Sequence, residues 1–413
     1  MLQYILWIIL FFTLWLTIIW LHCLFTEEPQ KKELKKYPKI TLGISAFNEQ
    51  KTIEKTIKSI IEAEYPNDKK EIIAVNDGST DNTQQIVEEL IRKNPDQNII
   101  LINQKNQGKA AGMNTALKKA TGEYFAVLDA DSRMSKNGIK LLLPYFYNDK
   151  IGAVISRVKV ESPNKILEKI QFFEYVMSSM IRKLMSLIGT LHITPGVLST
   201  YKTETLRKVG GFTKDRNNLT EDMEIALRLI SKGYKIEMQP ESITYTIVPK
   251  GLKKLWKQRI RWARGYIYNM WAYRKLMLST KHGIFGIFQM PINVIIVITL
   301  IVNVIIIMIN LLDKSTEFIY RSATINGYFI RKITEIPTTN ELVLAQNYRI
   351  LLPIGIVTLL GFYLIWQSHR KFNEKISKNI TGAIAYFLFI PYFTTINWIS
   401  SIFQEVFKTK RKW

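Results

Sequence analysis

The chain has 413 residues, with 57 Lys and Arg against 34 Asp and Glu, a formal net charge of +23. Hydrophobic residues make up 47%, too many for a disordered chain. Cys23 is the single cysteine, which excludes a disulfide framework and a Cys-based zinc or iron–sulfur site, and His22, His192, His282 and His369 have no metal-ligand spacing. A protein this basic is expected to meet an anionic partner: lipid headgroups, nucleic acid or a phosphate-bearing substrate.

Residues 1–26 contain no Lys, Arg, Asp or Glu, and a membrane-spanning helix needs roughly 20 apolar residues. The start is uncharged and Cys23-Leu24-Phe25-Thr26 offers no small-residue cleavage site, so a retained span is expected rather than a cleaved signal. Lys31, Lys32, Lys35 and Lys36 follow it, which places that side in the cytoplasm. From residue 37 to 250 the pattern is α/β. Ile40–Ser45, Ile72–Val75, Ile99–Ile102 and Tyr124–Leu128 read as strands buried on both faces. Helices are predicted around Ile53, Ile57, Ile60 and Ile61, over Asp81–Arg92 and over Lys109–Lys119. Alternation of this kind predicts a mostly parallel sheet, with the ligand beyond the carboxyl ends of the strands.

Polar residues follow each of these strands: Phe47-Asn48-Glu49, Asn76-Asp77-Gly78-Ser79, Asn106-Gln107-Gly108-Lys109 and Asp129-Ala130-Asp131. Each alone reads equally well as turn chemistry, with Asn48 or Asp81 capping a helix; together they line one sheet edge. Carboxylates beside an anionic nucleotide make sense with a divalent cation between them. Asp129 and Asp131 are therefore candidate ligands for Mg²⁺ or Mn²⁺. No P-loop or dinucleotide fingerprint accompanies the sheet.

Leu219-Thr220-Glu221-Asp222-Met223-Glu224 opens a helix whose apolar face is Met223, Ala226, Leu227 and Ile230, with Gly233 as its stop. Thr220 can cap it and the acids suit the helix dipole, while Asp222 also has the character of a general base. Between Glu241 and Asp313 there are ten Lys or Arg and no acid. Within that stretch Gln258, Arg261 and Trp262 share one helical face, suited to a diphosphate and a sugar ring. The surrounding Lys253, Lys254, Lys257, Arg274 and Lys275 read as an amphipathic region, 251–282, on anionic lipid. A C-terminal transmembrane region, 283–407, contains uncharged stretches over Gly283–Leu312, Ile350–Ser368 and Asn379–Gln404. Four complete spans would put the basic tail Lys408, Lys410, Arg411 and Lys412 on the outside, against the charge rule, whereas a break at Pro391 would turn the last stretch into a re-entrant or interfacial hairpin; the sequence leaves both arrangements open.

Asp77-Gly78, Asp129-x-Asp131, Thr220-Glu221-Asp222 and Gln258-x-x-Arg261-Trp262 resemble, in order and spacing, the motifs of the processive family 2 glycosyltransferases, the membrane synthases of cellulose, chitin, hyaluronan and poly-β-1,6-N-acetylglucosamine. Asn76–Thr83, Lys169-Ile170-Gln171 with Glu174-Tyr175, and Leu255–Trp262 look most like the poly-N-acetylglucosamine branch. The resemblance covers about residues 38–270 and implies a GT-A-type domain on a helical transmembrane frame. It implies that Asn48, Asp77 and Lys109 hold the nucleotide, that Asp129 lies by the diphosphate and that Asp131 ligates the metal. Asp222, beside Glu221, would be the base; Gln258, Arg261 and Trp262 would close over diphosphate and acceptor. Thr194-Pro195-Gly196 stands where the family has its acceptor loop, in a departing form.

The implied function is inverting transfer of a sugar, UDP-N-acetylglucosamine foremost, to a growing β-linked polysaccharide, with export through the spans and room for a small membrane partner subunit. The location implied is the plasma membrane, multi-pass, with a cytoplasmic catalytic domain. Two other readings are a single-sugar transferase to a polyprenyl phosphate or other lipid-linked acceptor, and a non-enzymatic membrane nucleotide or lipid binder. Nucleic acid is not expected, because the cations cluster beside apolar stretches rather than along a groove-sized surface.

Overall fold

The computed structural model describes residues 2–26, 34, 36–334 and 348–411; Lys31, Lys32, Lys35 and Lys412, on which part of the topology reading rests, lie outside the described residues. The chain divides into two units, one of residues 26–290 with 368–413 and one of 1–25 with 291–367.

In the first unit, β1 (Ile40–Ala46), β2 (Lys70–Asn76), β3 (Asn98–Asn103) and β4 (Tyr124–Leu128) pair in parallel in the order β3-β2-β1-β4. Every residue of β2 and β4 is buried, as expected of strands covered on both faces. α2 (Ile53–Ile61) packs Ile53, Ile57 and Ile60 against the sheet. Its C-terminal carbonyls at Ile60 and Ile61, and that of Ala63 just past its end, accept hydrogen bonds from the buried Lys70 ammonium at 3.2, 2.9 and 3.4 Å, a cation at the negative end of a helix. α3 covers Thr83–Lys93, two residues short of the expected start at Asp81. The Asp81 carboxylate accepts bonds from the Thr83 N–H and hydroxyl and from the Gln50 N–H, so it holds a turn ahead of the helix. α4 runs Lys109–Lys119, as predicted.

Beyond β4 the sheet changes character. β5 (Ser132–Met134), β6 (Ile151–Val160), β7 (Val197–Lys202) and β8 (Lys235–Thr246) complete an order of β3-β2-β1-β4-β7-β6-β8-β5. β7 is antiparallel to β4 and β6, β8 is parallel to β6, and β5 is antiparallel to β8. The sheet is therefore mixed rather than parallel throughout. Short α5 (Gly138–Leu142) and α7 (Thr203–Lys208) join its strands, α6 (Ile166–Leu187) and α8 (Glu221–Ser231) pack on it, and α9 (Leu252–Ala272) packs on α8. Two apolar clusters form the core, one around Leu42, Ile57 and Leu128, the other around Ile73, Phe125 and Leu227.

In the second unit, α1 (Leu2–Leu24), α10 (Met290–Thr324), α11 (Tyr328–Thr334) and most of α12 (Tyr348–Lys371) are helical. Trp7–Leu24, Phe285–Thr324, Leu351–Lys371 and Ile376–Val406 are long and apolar enough to cross a membrane. The last of these contains α13 (Ile380–Val406) and belongs to the first unit. Pro391 does not break it: the helix is continuous, with Phe389 and Phe393 stacked at 5.0 Å across the proline and Phe393 edge-on to Trp256 at 5.6 Å.

Candidate active site

Asp129-Ala130-Asp131 leaves the end of β4 in a fixed frame. The Asp129 N–H donates to Gly196 O at 2.7 Å, and Ala130 O accepts from the Thr56 hydroxyl at 2.8 Å. Gly196 has a steric reason to be glycine. A Cβ there would lie 2.5 Å from Lys109 Nζ and 2.7 Å from Asp129 Oδ2, and closer still to Oδ1. Lys109, the first residue of α4, reaches across to Asp129 at 2.6 Å and to Glu221 at 2.9 Å. One ammonium thus ties the end of β4 to the start of α8.

Four carboxylates gather around this lysine, Asp129, Asp131, Glu221 and Asp222, and Glu49 lies beside Asp129 and Asp131. Burial opposes the charge on Lys109, but Asp129, Glu221 and Asp222 together outweigh it and hold its pKa above the usual range. Burial would raise Glu221, yet Lys109 and Arg261 keep it below the ordinary carboxylate value. Asp222 goes the other way: burial and the neighbouring Glu221 charge push it up to about 6. Burial, Asp129 and Glu49 likewise raise Asp131 to about 6. Two carboxyl groups raised toward neutrality beside Glu221, which is held ionised, is the arrangement that separates acid–base from purely electrostatic roles.

The first turn of α8 is held from behind. The Thr194 hydroxyl donates to Asp222 O at 2.7 Å and its side chain is buried. Thr220 occupies the N-cap position but makes no capping bond; its hydroxyl accepts from Asn269 Nδ2 at 2.9 Å, and α9 approaches so closely that only Gly265 fits opposite it. This junction brings α9 over Asp222. Gln258, Arg261 and Trp262 then line a cavity of about 320 Å³ together with Asp129, Asp131 and Asp222. Arg261 donates to Leu219 O at 3.2 Å. Gln258 Oε1 is sealed from solvent and accepts no hydrogen bond from a described residue.

A larger cavity, about 850 Å³, opens on the other side of Lys109, between Phe47, Glu49 and Asp77 and the chain's basic tail. Asp77 lines it with its carboxylate already engaged: Gln104 Nε2 at 2.7 Å, Gln107 N at 3.0 Å and Gly108 N at 2.8 Å donate to it. It shapes the loop into α4. Asn48, with φ +57°, accepts from Thr80 N at 2.8 Å and lines neither cavity. The structure therefore assembles Asp77, Lys109, Asp129, Asp131, Gly196, Glu221, Asp222, Gln258, Arg261 and Trp262 around two adjoining cavities, and places Asn48 and Thr194 outside both linings.

Several wall residues carry no site role in the sequence reading, although Glu174 and Arg259 fall in stretches that carry the family resemblance. Glu174 pairs with Arg259 at 2.7 Å, and the Arg259 guanidinium lies 4.5 Å above the Trp262 ring, fixing it. Arg182, on the same long α6, also reaches the smaller cavity, with no sequence signal to mark it. The tail residues Lys408, Thr409, Lys410 and Arg411 line the larger one. Glu405 anchors them, held by Arg264 at 2.6 Å and by Arg411.

Residues 41–210 match the model of the Glycosyl transferase family 2. The chain is 33% identical over 270 residues to a poly-beta-1,6-N-acetyl-D-glucosamine synthase of Staphylococcus epidermidis, covering 62% of this chain and 64% of that one. The synthase of the same name from Staphylococcus aureus strain COL is 33% identical over 272 residues with the same coverage. The chain thus matches less than two thirds of the length of these curated relatives. A mannosyltransferase from Pyrobaculum calidifontis, solved with GDP-Man and Mn²⁺, shares the fold at a TM-score of 0.61 and 21% identity, over 94% of this chain and 99% of that one. Residues 41–210 thus resemble a family 2 glycosyltransferase domain, and the fold is a GT-A-like mixed sheet with flanking helices; among the described residues four helices are long and apolar enough to cross a membrane.

Proposed function

We propose that the protein is a membrane-bound inverting glycosyltransferase that moves N-acetylglucosamine from its UDP-sugar to a hydroxyl of a growing β-linked polysaccharide. The observation that carries this reading is Asp222: a carboxyl group with a pKa near 6, fixed by its own helix turn, facing a cavity that also receives Asp129, Asp131 and the Gln258–Trp262 face of α9. The names of the staphylococcal relatives support the choice of sugar and of a polymer product.

In this mechanism the acceptor hydroxyl lies between Asp222 and the donor's anomeric carbon. The oxygen–carbon bond forms on one face as the bond to the diphosphate oxygen breaks on the other. The hydroxyl proton passes to Asp222, and the electron pair leaves with UDP. In-line placement of this kind supplies much of the rate. Trp262, held by Arg259, offers a flat platform for the acceptor ring, and Gln258 Oε1 accepts from a sugar hydroxyl. Arg261 contributes a guanidinium fork to the diphosphate. The larger cavity takes the nucleoside, bounded by the loop that Asp77 orders and by the tail.

A divalent cation, Mg²⁺ or Mn²⁺, fits the donor set. Asp131 is crowded by Asp129 and Glu49, a repulsion that a cation relieves. Among the described residues no three such side chains converge into a full cage, which suits ions that keep water ligands and take phosphate oxygens. When bound, the ion neutralises charge on the leaving diphosphate. The catalytic unit faces the cytoplasm in this account and the product leaves through the apolar helices. Asp131→Asn should abolish transfer together with its response to Mg²⁺ or Mn²⁺; wild-type activity unchanged by EDTA would overturn the metal assignment.

A further inference from the structure

We infer that α13, although apolar and long enough to span a bilayer, lies in the membrane interface on the catalytic side, with its exposed stripe sunk into the lipid of that leaflet and both of its ends on that side.

Both ends of the helix are tied to the catalytic unit. Just before it, Glu374 is paired with Arg157 of β6 at 3.3 Å and with Lys159 at 2.7 Å. Asn379, at its N-cap, donates to Lys169 O on α6 at 3.0 Å. At the far end, Gln404 and Glu405 accept from Arg264 of α9, and Thr409 O accepts a third bond from the same guanidinium at 2.7 Å. Arg411, past the end, donates to Asn217 O at 3.2 Å beside the larger cavity. Contacts continue between these anchors: Phe173 against Tyr386 at 4.9 Å, Trp256 against Phe393 at 5.6 Å and Tyr266 against Trp398 at 5.6 Å.

A helix crossing the bilayer with these contacts would draw α9 into hydrocarbon beside it. The first thirteen residues of α9 include Lys253, Lys254, Lys257, Arg259, Arg261 and Arg264, and cations at that depth are strongly disfavoured. The Glu374 and Glu405 clusters would also have to sit on opposite sides of a membrane while joined to one continuous sheet domain.

The outer face of α13 names the occupant. Ile380, Ile384, Leu388, Tyr392 and Ile396 recur every fourth residue and are all exposed, followed by Phe403 and Phe407. Cations flank the stripe at both ends, Lys375 and Lys378 before it and Lys408 and Lys410 after it, the pattern of an interfacial helix on anionic lipid. The arrangement also removes the conflict in the sequence: α10 and α12 cross, α13 does not, and the basic tail stays with the catalytic unit.

The test uses the full chain in sealed membrane vesicles of both orientations, with Cys23→Ala as background. Single cysteines at Lys378, Lys410 and, as a marker of the catalytic side, Lys140 react with a membrane-impermeant maleimide. The expected result is that all three react in the same vesicle orientation and lose nearly all labelling in the other. Lys410→Cys reacting in the opposite orientation from Lys140→Cys would overturn the inference. Nitroxide labels at Ile384, Leu388, Tyr392 and Ile396 give an independent reading: an interfacial helix holds all four at one depth of about 5–10 Å, whereas a span places the middle ones about 15 Å deep and refutes it.

Discussion

Replacing Gly196 with alanine adds a single methyl group at the point where β4, α4 and α8 are joined. The new carbon would stand 2.5 Å from Lys109 Nζ and 2.7 Å from Asp129 Oδ2, so both side chains must retreat by close to 1 Å to reach ordinary contact. The ion pair would then open from 2.6 Å to about 3.6 Å. With an effective dielectric of about 20, its Coulomb energy weakens by on the order of 2 kcal/mol. The two side chains are 32% and 29% exposed, and screening reduces the loss to about 1–2 kcal/mol. If the pair positions the donor, kcat/KM for the UDP-sugar falls roughly 5- to 30-fold. A retreating lysine also offsets the Asp222 charge less well, so the acid limb of the pH–rate profile moves upward from about 6. Steady-state UDP release as a function of donor concentration and pH reads both effects. Activity within twofold of wild type with an unmoved limb would show that the Lys109–Asp129 geometry does not govern the site.

Asp222→Asn should keep donor affinity, read by UDP-sugar titration, while kcat falls by about 10²–10⁴, the usual contribution of a general base. In the wild type, Asp222 serves only when ionised, and its pKa is raised to about 6. Activity should therefore rise with pH through about 6 and level off above it; a profile flat from pH 5 to 8 would contradict the base assignment. Glu405→Gln removes the charge that pairs with Arg264, itself only 4% exposed. Leaving that cation unpaired should destabilise the domain by about 3–5 kcal/mol and open the tail to trypsin at Lys408 and Lys410. Urea melts and proteolysis of the full chain check both, and unchanged resistance would mean the tail is held elsewhere.

The parallel half of the sheet was legible because its strands are apolar runs bounded by polar turns, and β4 and α4 begin and end where the pattern says. Legibility stops after β4, since no strand from β5 to β8 was read from the sequence, and β7 shows why. Its antiparallel docking beside β4 depends on a register shift between Val127 and Leu128, a pairing made some 70 residues apart that no local periodicity announces. The acidic motifs were readable for the same reason as the strands, since they sit at strand and helix ends. What each does was less so. Asp77 spends its carboxylate on Gln104, Gln107 and Gly108, and Gly196 is glycine because of a lysine 87 positions earlier, a constraint visible only in three dimensions. Charge counting over the tail spoke to topology and not to the cavity wall it forms, because the anchor, Arg264 to Glu405, bridges 141 residues.

The most direct test of the central claim is UDP release by the full chain in its membrane, with Mg²⁺ or Mn²⁺, across UDP-N-acetylglucosamine, UDP-glucose and UDP-glucuronate, with the product sized in parallel. The account predicts metal-dependent release from UDP-N-acetylglucosamine in preference to the others, together with a long β-linked polymer. Release accompanied only by a singly glycosylated lipid, or metal-independent release, would contradict it.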